Sequence, residues 1–416
     1  MPRITTEPEM PPPAVTEMNA GGTSLRVLHL IEDLGAGGAE RLLFVNLSHL
    51  DRRTVDGAVC HLYDRALHWR QSILDLGYPV MSLNMTSIRD LPRGVGRLLR
   101  LLKQHPVDVI HTHLYGANLV GRVAGALCGI PVISSLHNPD YEPMIFMDNV
   151  AVSPAKLRVL RWMDRATCRL ARPVFVAVSE YVKQSAGRHL GIAADQTTVI
   201  YNAIDLTAFA CSGETVARAN RLRAELQLAN GDPVILCIAR MDPQKGLRYL
   251  IEALPTLIGE FPRVAALFVG GGSPAARQSL VAVAEALHVQ SYVHFLGVKT
   301  DVRPYLEMCD VFVLPSLYEG MGIALVEAMA MERACVATRT TAVPEVVAGD
   351  TSGLLVTPAN SQELAVAVAR LLRDAALRSR MGAAGRRIVA ERFNVSHNIR
   401  QLESLYHQVA NSRAVA

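Results

Sequence analysis

Long apolar runs are missing from this 416-residue chain, although half of its residues are apolar. A membrane-spanning helix needs about 18 or more consecutive apolar residues. The longest candidate, VAGALCGIPVISSL at positions 123–136, is interrupted by Gly129 and Pro131. That segment is typical of a helix end, a turn and a buried strand, so the sequence predicts no membrane-spanning helix.

Paired cysteines and a strong excess of one charge are also missing. The seven cysteines are scattered without a CxxC pair, which indicates reduced, mostly buried thiols in a cytoplasmic protein. The 42 basic and 38 acidic residues leave a net charge of +4, which is too balanced for a nucleic-acid-binding protein. Residues 1–24 lack the basic-then-apolar order of a signal peptide and are expected to form a disordered tail.

Short β-rich runs alternate with longer helical stretches from residue 25, and this pattern occurs twice. The first half predicts strands at 26–31, 56–62, 79–83, 107–113, 131–137 and 174–179. The second half predicts strands at 233–240, 264–272, 291–297, 310–316, 334–339 and 352–358. The runs are continuous rather than alternating in polarity, as in strands covered on both faces. The rule of right-handed crossovers then favours two parallel, doubly wound, Rossmann-like sheets.

The predicted division is a first domain at 25–207, a second domain at 208–390 and a C-terminal helical segment at 391–416. Parallel α/β sheets bind ligands at the carboxyl ends of their strands. Two such domains facing each other would enclose a central cleft. Candidate site residues are therefore expected at the strand ends.

A glycine-rich turn follows the first strand, in EDLGAGGAERLL at 32–43. Gly37 and Gly38 immediately precede a helix, whose free N-terminal amides can bind an anion. The alternative is a tight turn that merely needs glycine. The glycine spacing differs from the GxGxxG fingerprint of dinucleotide-binding proteins, which argues against a dehydrogenase.

Histidines end two neighbouring predicted strands in the first half. His111 and His113 close one strand and His137 closes the next, so they should converge on one rim. They could be metal ligands, but no carboxylate or cysteine accompanies them at ligand spacing. Hydrogen bonding or acid–base work near a ligand is the preferred interpretation.

Two loop cations and a second glycine-rich turn follow strands in the second half. Arg240 and Lys245 lie five positions apart in CIARMDPQKGL, so both could contact one diphosphate. Two solvated loop cations are the alternative. Gly271 lies in VGGGSPAAR, where the backbone could approach a base or a sugar; the segment lacks the GK[ST] of a P-loop.

The segment LYEGMGIALVEAMA at 317–330 places two carboxylates around a glycine pair. A helix is predicted to begin near Ile323, with free amides from Gly322 through Ile323, Ala324 and Leu325. Glu319 and Glu327 would flank this anion site, and carboxylates accept hydrogen bonds from pairs of hydroxyl groups. The combination suits a nucleotide sugar, with one glutamate for the ribose, one for the hexose and amides for the diphosphate.

Several motifs in order resemble those of the retaining family 4 glycosyltransferases with the GT-B fold. They are GGAER (37–41), VIHTHLYGANLVGRVAG (109–125), SLHN (135–138), VSE (178–180), VIYNAID (199–205), RMDPQKGL (240–247), FLG (295–297) and EGMGIALVEAMA (319–330). The last has the family's E-x7-E spacing. The resemblance covers residues 25 to about 390.

The resemblance implies an acceptor-binding first domain, a donor-binding second domain and a C-terminal helix that crosses back to the first. It implies that Arg240 and Lys245 hold the donor diphosphate, with Gly37 and Gly38 near the phosphates. Glu327 would hold the ribose and Glu319 the transferred sugar, while His137 would approach the reacting centre. His113, Asn138 and Asn202 are expected on the acceptor side or in the cleft. No metal or cofactor is expected, and the chain has no Asp-x-Asp.

Two basic stripes suggest how an acceptor could be reached. The predicted helices carry Arg93, Arg97, Arg100 and Lys103, and Arg158, Arg161, Arg165 and Arg169. They are either solvated helix faces or a surface that docks on an anionic membrane.

The sequence thus predicts a cytoplasmic enzyme, peripheral at the membrane, that moves a hexose from a UDP-sugar to a glycan or lipid-linked acceptor. Cell-envelope or exopolysaccharide synthesis would fit such an acceptor. The alternatives are a nucleotide-sugar 2-epimerase of the same fold and a nucleotide-sugar-sensing pseudoenzyme.

Overall fold

The chain forms two parallel β-sheets flanked by helices, in a computed structural model that describes residues 24–142 and 153–412. The strands of the first domain are β1 (Leu25–Ile31), β2 (Val55–His61), β3 (Val80–Ser82), β4 (Val109–His113), β5 (Val132–Leu136), β6 (Val174–Ala177) and β7 (Thr197–Val199). Its helices are α1 (Gly38–His49), α2 (Arg70–Asp75), α3 (Leu91–Gln104), α4 (Tyr115–Cys128), α5 (Pro154–Ala171) and α6 (Glu180–Leu190). The expected disordered tail, residues 1–24, lies outside the described residues apart from its last position.

The second domain repeats this architecture. Its strands are β8 (Val234–Ile238), β9 (Ala265–Val269), β10 (Val293–Gly297), β11 (Val311–Leu314), β12 (Ala334–Thr338) and β13 (Gly353–Val356). Its helices are α7 (Gly213–Glu225), α8 (Leu247–Glu260), α9 (Pro274–Ala286), α10 (Arg303–Met308), α11 (Ile323–Ala330), α12 (Val343–Val346), α13 (Ser361–Arg373) and α14 (Ala375–Arg392). Short 3-10 helices lie at Ile88–Asp90, Ala194–Gln196, Pro243–Lys245 and Gln290–Tyr292.

Both sheets are parallel throughout and doubly wound, which confirms the predicted fold class. The first sheet has the order β3-β2-β1-β4-β5-β6-β7 and the second the order β10-β9-β8-β11-β12-β13. Strand order reverses between β1 and β4, and again between β8 and β11, which are the points where such sheets bind ligands. Strand β7 is the one element of the first sheet that the sequence pattern missed, since it has only three residues and ends the sheet.

The buried strands explain this architecture. All seven residues of β2 and all five residues of β4, β5 and β9 are buried, as the continuous apolar runs predicted. Helices cover both faces because neither face of such a strand tolerates water. Among the described residues, no helix is long and apolar enough to cross a membrane.

The chain passes between the domains at two adjacent places. The N–H of Ile204 donates to the carbonyl of Phe393 (3.0 Å), and the N–H of Val395 donates back to the carbonyl of Ile204 (3.1 Å). Beyond this point α15 (Val395–Ser412) packs against α1, β1 and β4 of the first domain. Its Tyr406 is fully buried there. The last helix therefore belongs to the packing of the first domain, although it follows the second in sequence.

Candidate functional site

Glu319 lies in the loop between β11 and α11 and is held by two donors. The ammonium nitrogen Nζ of Lys245 lies 2.8 Å from Oε1 and 2.9 Å from Oε2 of this carboxylate. Ser316 donates its hydroxyl to Oε1 at 2.7 Å. The side chain of Glu319 is only 6% exposed. A buried carboxylate is costly without donors, so Lys245 and Ser316 stabilise it. Two predicted donor-site residues are thus in direct contact with each other.

Gly320 brings the Glu319 loop against the SLHN turn of the first domain. A Cβ atom built on Gly320 would lie 1.8 Å from the carbonyl oxygen of His137, so no other residue fits there without moving the backbone. The hydroxyl of Ser179 donates to the carbonyl of Gly320 at 2.7 Å. The two domains therefore meet where the sequence predicted the reacting centre.

The N-terminus of α11 faces the glycine turn of the first domain. Gly322 has a φ of +86°, a left-handed conformation that favours glycine, and the helix begins at Ile323 as predicted. A Cβ on Gly38 would lie 3.8 Å from Cγ2 of Ile323. The N–H of Leu325 already donates to the carbonyl of Gly322 at 2.9 Å. The amide of Leu325 is therefore not available to an anion, which leaves those of Gly322, Ile323 and Ala324 from the predicted set.

Glu327, one turn into α11, is paired with a residue that the sequence analysis did not single out. Nη1 of Arg41, on α1, lies 2.5 Å from Oε1 of Glu327 as a close ion contact without hydrogen-bond alignment. Burial raises the pKa of Glu327, and the nearby Arg41 guanidinium opposes that shift. This pair crosses from the first domain to the second.

The other predicted donor-site residues lie around the same strand ends. Arg240 is exposed and pairs with Asp242, with Nη1 2.9 Å from Oδ2. The carbonyl of Gly271 accepts from the N–H of Met241 at 2.7 Å, which fixes this glycine turn beside the Arg240 loop. Because this ion pair is exposed, it holds the guanidinium of Arg240 only weakly.

A carboxylate lies over the glycine turn of the first domain. A Cβ on Gly37 would meet Oε2 of Glu40 at 2.2 Å, so the glycine makes room for this side chain. Burial raises the pKa of Glu40 to about 7, with Asp33 adding to the rise and Arg240 opposing it. A phosphate near Gly37 would have to approach this carboxyl group in its protonated form or displace it.

The predicted histidines converge and are joined by a fourth, His29 on β1. Nδ1 of His113 lies 3.3 Å from Nε2 of His137. His111 bonds to the hydroxyls of Tyr406 (2.7 Å) and Ser135 (2.8 Å). Burial lowers the pKa of His29 to about 3 and of His137 to about 4, and the pKa values of His111 and His113 also lie well below the usual range. The chain of rings is neutral at pH 7.

Three of these histidines could be considered as metal ligands. Nitrogen atoms of His29, His111 and His113 all lie within 4.8 Å of one another. Both ring nitrogens of His111 are already used by Tyr406 and Ser135, however. A metal bound by all three rings would have to break one of those bonds, whereas Nδ1 of His29 and Nε2 of His113 have no hydrogen-bond partner among the described residues.

The two asparagines predicted in the cleft lie near the domain contact. Asn138 follows His137, and its Cα would be 3.4 Å from a Cβ on Gly320. The N–H of Asn202 contacts the sulfur of Met321 at 3.1 Å, and its side-chain oxygen is buried without a hydrogen-bond partner among the described residues. Both therefore lie close to the Glu319 loop.

Glu345 is a further residue that the sequence analysis missed. Its carboxylate accepts from the backbone N–H groups of Glu180 (2.9 Å) and Tyr181 (2.8 Å), at the N-terminus of α6, and from the hydroxyl of Tyr201 (3.1 Å). A carboxylate is favoured at a helix N-terminus by the free amides and the helix dipole. These bonds join the second domain to the first.

The local sequence gives only a weak indication of the three site residues that were not predicted. Glu40 and Arg41 stand inside the quoted GGAER motif, and Glu345 is the acid of a Val-Pro-Glu helix start. Arg41 and Glu345 each pair with residues far away in sequence, across the cleft. A motif search limited to one segment therefore cannot show their partners.

The predicted basic stripes lie on adjacent helices, since α3 packs on α4 and α4 packs on α5. Arg93, Arg100, Lys103, Arg158 and Arg169 are exposed. Arg97 instead turns inward to the carbonyls of Leu83 and Asn84. Arg165 likewise donates to the carbonyl of His189 at 2.8 Å. The exposed basic surface is therefore smaller than the sequence suggested.

Two family models together match most of the chain. Residues 21–208 match the model described as Glycosyltransferase Family 4, and residues 232–374 match the model described as Glycosyl transferases group 1. The chain is 29% identical over 316 residues to the alpha-maltose-1-phosphate synthase of Mycolicibacterium smegmatis, covering 73% of this chain and 79% of that one. It is 25% identical over 334 residues to the UDP-Gal:alpha-D-GlcNAc-diphosphoundecaprenol alpha-1,3-galactosyltransferase of Escherichia coli, covering 79% and 82%.

Solved structures show the same two-domain arrangement. The structure of HepE from Anabaena in complex with UDP-glucose superimposes with a TM-score of 0.79 at 25% identity, covering 94% of this chain and 100% of that chain. The segments matched by the family models include both the glycine turn of the first domain and the E-x7-E segment of the second. The chain therefore belongs to the family 4, group 1 glycosyltransferases and has their GT-B fold.

Proposed function

We propose that this glycosyltransferase moves a hexose from a UDP-sugar to a hydroxyl group of a glycan or lipid-linked acceptor, with retention at the anomeric carbon and without a metal. The observation that carries the proposal is the contact between Gly320 and the carbonyl of His137. It places the Lys245–Glu319 pair beside the strand-end histidines of the other domain. The reacting sugar would lie between them.

Charge development explains the roles of the residues. Breaking the bond between the anomeric carbon and the phosphate oxygen leaves positive charge on the sugar and negative charge on UDP. Arg240, Lys245 and the first amides of α11 would stabilise the departing diphosphate, and such preorganised donors usually contribute most to catalysis. The acceptor oxygen would form its bond on the same face, while its proton passes to the leaving phosphate oxygen.

Glu319 would act by position and charge. Lys245 already contacts both oxygens of this carboxylate and Ser316 donates to one of them, so it is poorly placed to become a nucleophile. It would accept hydrogen bonds from hydroxyl groups of the transferred sugar and stabilise positive charge at the anomeric carbon. His137, whose pKa burial lowers to about 4, would hydrogen-bond to the sugar rather than act as a cationic acid.

The names of similar proteins support the donor and acceptor classes. The E. coli relative takes galactose from UDP-Gal to a diphosphoundecaprenol-linked sugar, and the Anabaena structure contains UDP-glucose. Exposed cations on α3 and α5 would bring this chain to an anionic membrane where such a lipid acceptor resides. Exposed Val159, Trp162 and Leu170 on α5 could enter the interface. The proposed location is the cytoplasmic face, in cell-envelope or exopolysaccharide synthesis.

The test is transfer from UDP-glucose and UDP-galactose in EDTA, comparing wild type with Glu319→Gln. Wild type should release UDP and form a product with an α linkage, and the variant should lose at least about a hundredfold in turnover, as for loss of one preorganised electrostatic contact. Near-wild-type turnover of the variant would remove Glu319 from the mechanism. Conversion of the UDP-sugar without an acceptor would favour the 2-epimerase, and binding without turnover would favour the pseudoenzyme.

A further inference from the structure

A polar cavity of about 170 Å³ opens in the first domain beside His137. Its walls come from the ends of β1, β4 and β5, the start of α4 and one face of α6. The apolar side is lined by Leu114, Leu136, Val182, Ala186 and Leu190. The cavity therefore adjoins the centre where the donor sugar is expected, on the side of the acceptor domain. A cavity lined by both apolar and polar side chains can hold a sugar ring.

Among the described residues, the charged side chains that line this cavity are all acidic: Glu32, Asp140 and Asp164. Asp164 is neutralised, because it pairs with the buried Arg122 and accepts from the hydroxyl of Tyr141 at 2.8 Å. Glu32 accepts from the N–H of Gly116 through Oε1 at 2.6 Å, which leaves Oε2 available. Asp140 has no ion pair among the described residues; burial raises its pKa to about 7, with Asp164 and Glu32 adding to the rise, and burial also raises the pKa of Glu32. Two carboxyl groups thus remain available to a ligand.

A buried amide supplies a donor in the same cavity. Asn118 is only 6% exposed, and its Oδ1 accepts from the hydroxyl of Thr112 at 2.7 Å. The amide nitrogen of the same side chain can donate to a ligand oxygen. The cavity therefore offers carboxyl acceptors and an amide donor.

We infer that this cavity takes the acceptor's sugar ring, and that Glu32 and Asp140 select a ring bearing neutral hydroxyl or amino groups over one bearing an anion. A hydroxyl group can donate to a carboxylate and accept from Asn118. An ammonium group donates to carboxylates and gains charge attraction. A carboxylate or phosphate can only accept, so opposite an ionised Glu32 or Asp140 carboxylate it meets repulsion and lacks a partner. The inference rests on the proposed function and specifies the acceptor class for the same site.

Three matched monosaccharides test this selection: methyl α-glucopyranoside, its 2-amino-2-deoxy analogue and methyl α-glucuronide. Saturation-transfer NMR would measure the Kd of each for the full chain at pH 8, where Asp140, with its pKa raised to about 7, is mostly ionised, and with UDP present to fill the donor site. Wild type should bind the glucoside and the amino analogue, and bind the glucuronide at least about tenfold more weakly, because an unpaired buried polar group and like-charge repulsion both oppose it. In the Glu32→Gln, Asp140→Asn double variant this ratio should shrink to within about threefold.

The substitutions preserve shape, and the amide oxygen that Glu32→Gln introduces can still accept from the N–H of Gly116, so the fold should be retained. Glu285→Gln, an exposed acid on α9, is the control and should leave the ratio unchanged. The inference is overturned if the glucuronide binds as tightly as the glucoside in wild type, if no sugar binds, or if the ratio survives in the double variant. Titration of UDP in the same samples separates this failure from failure of the proposed function. UDP binding without the sugar selection overturns the inference alone, whereas absence of UDP binding overturns the proposed function and the inference that rests on it.

Discussion

Arg41 and Glu327 form an ion pair across the cleft, with Nη1 of the arginine 2.5 Å from Oε1 of the glutamate. The Glu327 side chain is 1% exposed and that of Arg41 is 27% exposed. The residue expected to hold the donor ribose therefore also joins the two domains. A donor that uses Glu327 must share this carboxylate with Arg41, so donor binding and domain contact are linked.

Removing Arg41 should destabilise the chain, because a buried carboxylate would lose its counter-charge. Breaking a buried pair costs about 3–5 kcal/mol, and partial exposure of Arg41 reduces the expected loss for Arg41→Gln to about 1–3 kcal/mol. The Arg41→Gln, Glu327→Gln double variant should recover most of this loss. Urea denaturation gives the coupling energy, and exposed Arg380→Gln is the control. Additive effects of the two substitutions would contradict the pairing.

Gly320 should not tolerate a side chain. In Gly320→Ala the new methyl group would meet the His137 carbonyl at 1.8 Å, which is backbone and cannot rotate away. The domains must then separate locally, and transfer should fall by about a hundredfold or more, as misplacement of about 1 Å can cost that much. Gly259→Ala, in α8 with nothing within 4 Å, is the matched control and should keep full activity. Equal activity of both variants would show that the Gly320 contact is not needed.

The buried histidines should make the fold sensitive to acid. The pKa of His29 is lowered to about 3 and that of His137 to about 4, from an ordinary value of 6.5. Between about pH 6.5 and pH 4 the unfolded chain binds protons that the folded chain does not, so the free energy of unfolding falls as the pH falls. Each such histidine contributes up to about 1.4 kcal/mol per pH unit.

Buried Glu40 contributes the opposite slope, because its folded pKa is raised to about 7. The effect of one histidine is therefore taken from the difference in the free energy of unfolding between wild type and His29→Gln, measured from pH 6 to pH 4. The variant should lose stability less steeply with falling pH, by about 1 kcal/mol per pH unit. Exposed His397→Gln controls for the substitution. Parallel curves for wild type and His29→Gln would contradict the assignment.

The sheets and the α11 start could be predicted because they depend on local sequence. Buried strands need continuous apolar runs, and Gly322 at positive φ marks the helix start that LYEGMGIALVEAMA indicated. The Arg41–Glu327 and Glu345 contacts could not be predicted, since they depend on how two separately folded domains face each other. The inward turn of Arg97 and Arg165 could not be predicted from helical spacing either. It depends on carbonyl groups of neighbouring segments, and the spacing along one helix does not locate them.

The remaining exposed cations give the membrane proposal a narrower test. Arg158 and Arg169 are exposed on α5, near Trp162. Each cation near an anionic surface contributes about 1 kcal/mol to binding. The Arg158→Glu, Arg169→Glu double variant should therefore bind vesicles more than about tenfold more weakly than wild type. Sedimentation with phosphatidylglycerol vesicles at low salt measures this, with Arg380→Glu, Arg400→Glu as control. Failure of wild type to pellet would argue against peripheral association.

The central claim is that the E-x7-E segment and the Arg240–Lys245 loop form a UDP-sugar site, and nucleotide-dependent thermal stability tests it most directly. Wild type and Glu327→Gln would be unfolded with UDP, GDP or ADP in the presence of EDTA. A ligand at a hundred times its Kd stabilises the fold by about 2.7 kcal/mol. We predict stabilisation of wild type by UDP, without metal, and its loss in Glu327→Gln. No stabilisation of wild type by any of the three nucleotides would contradict the account.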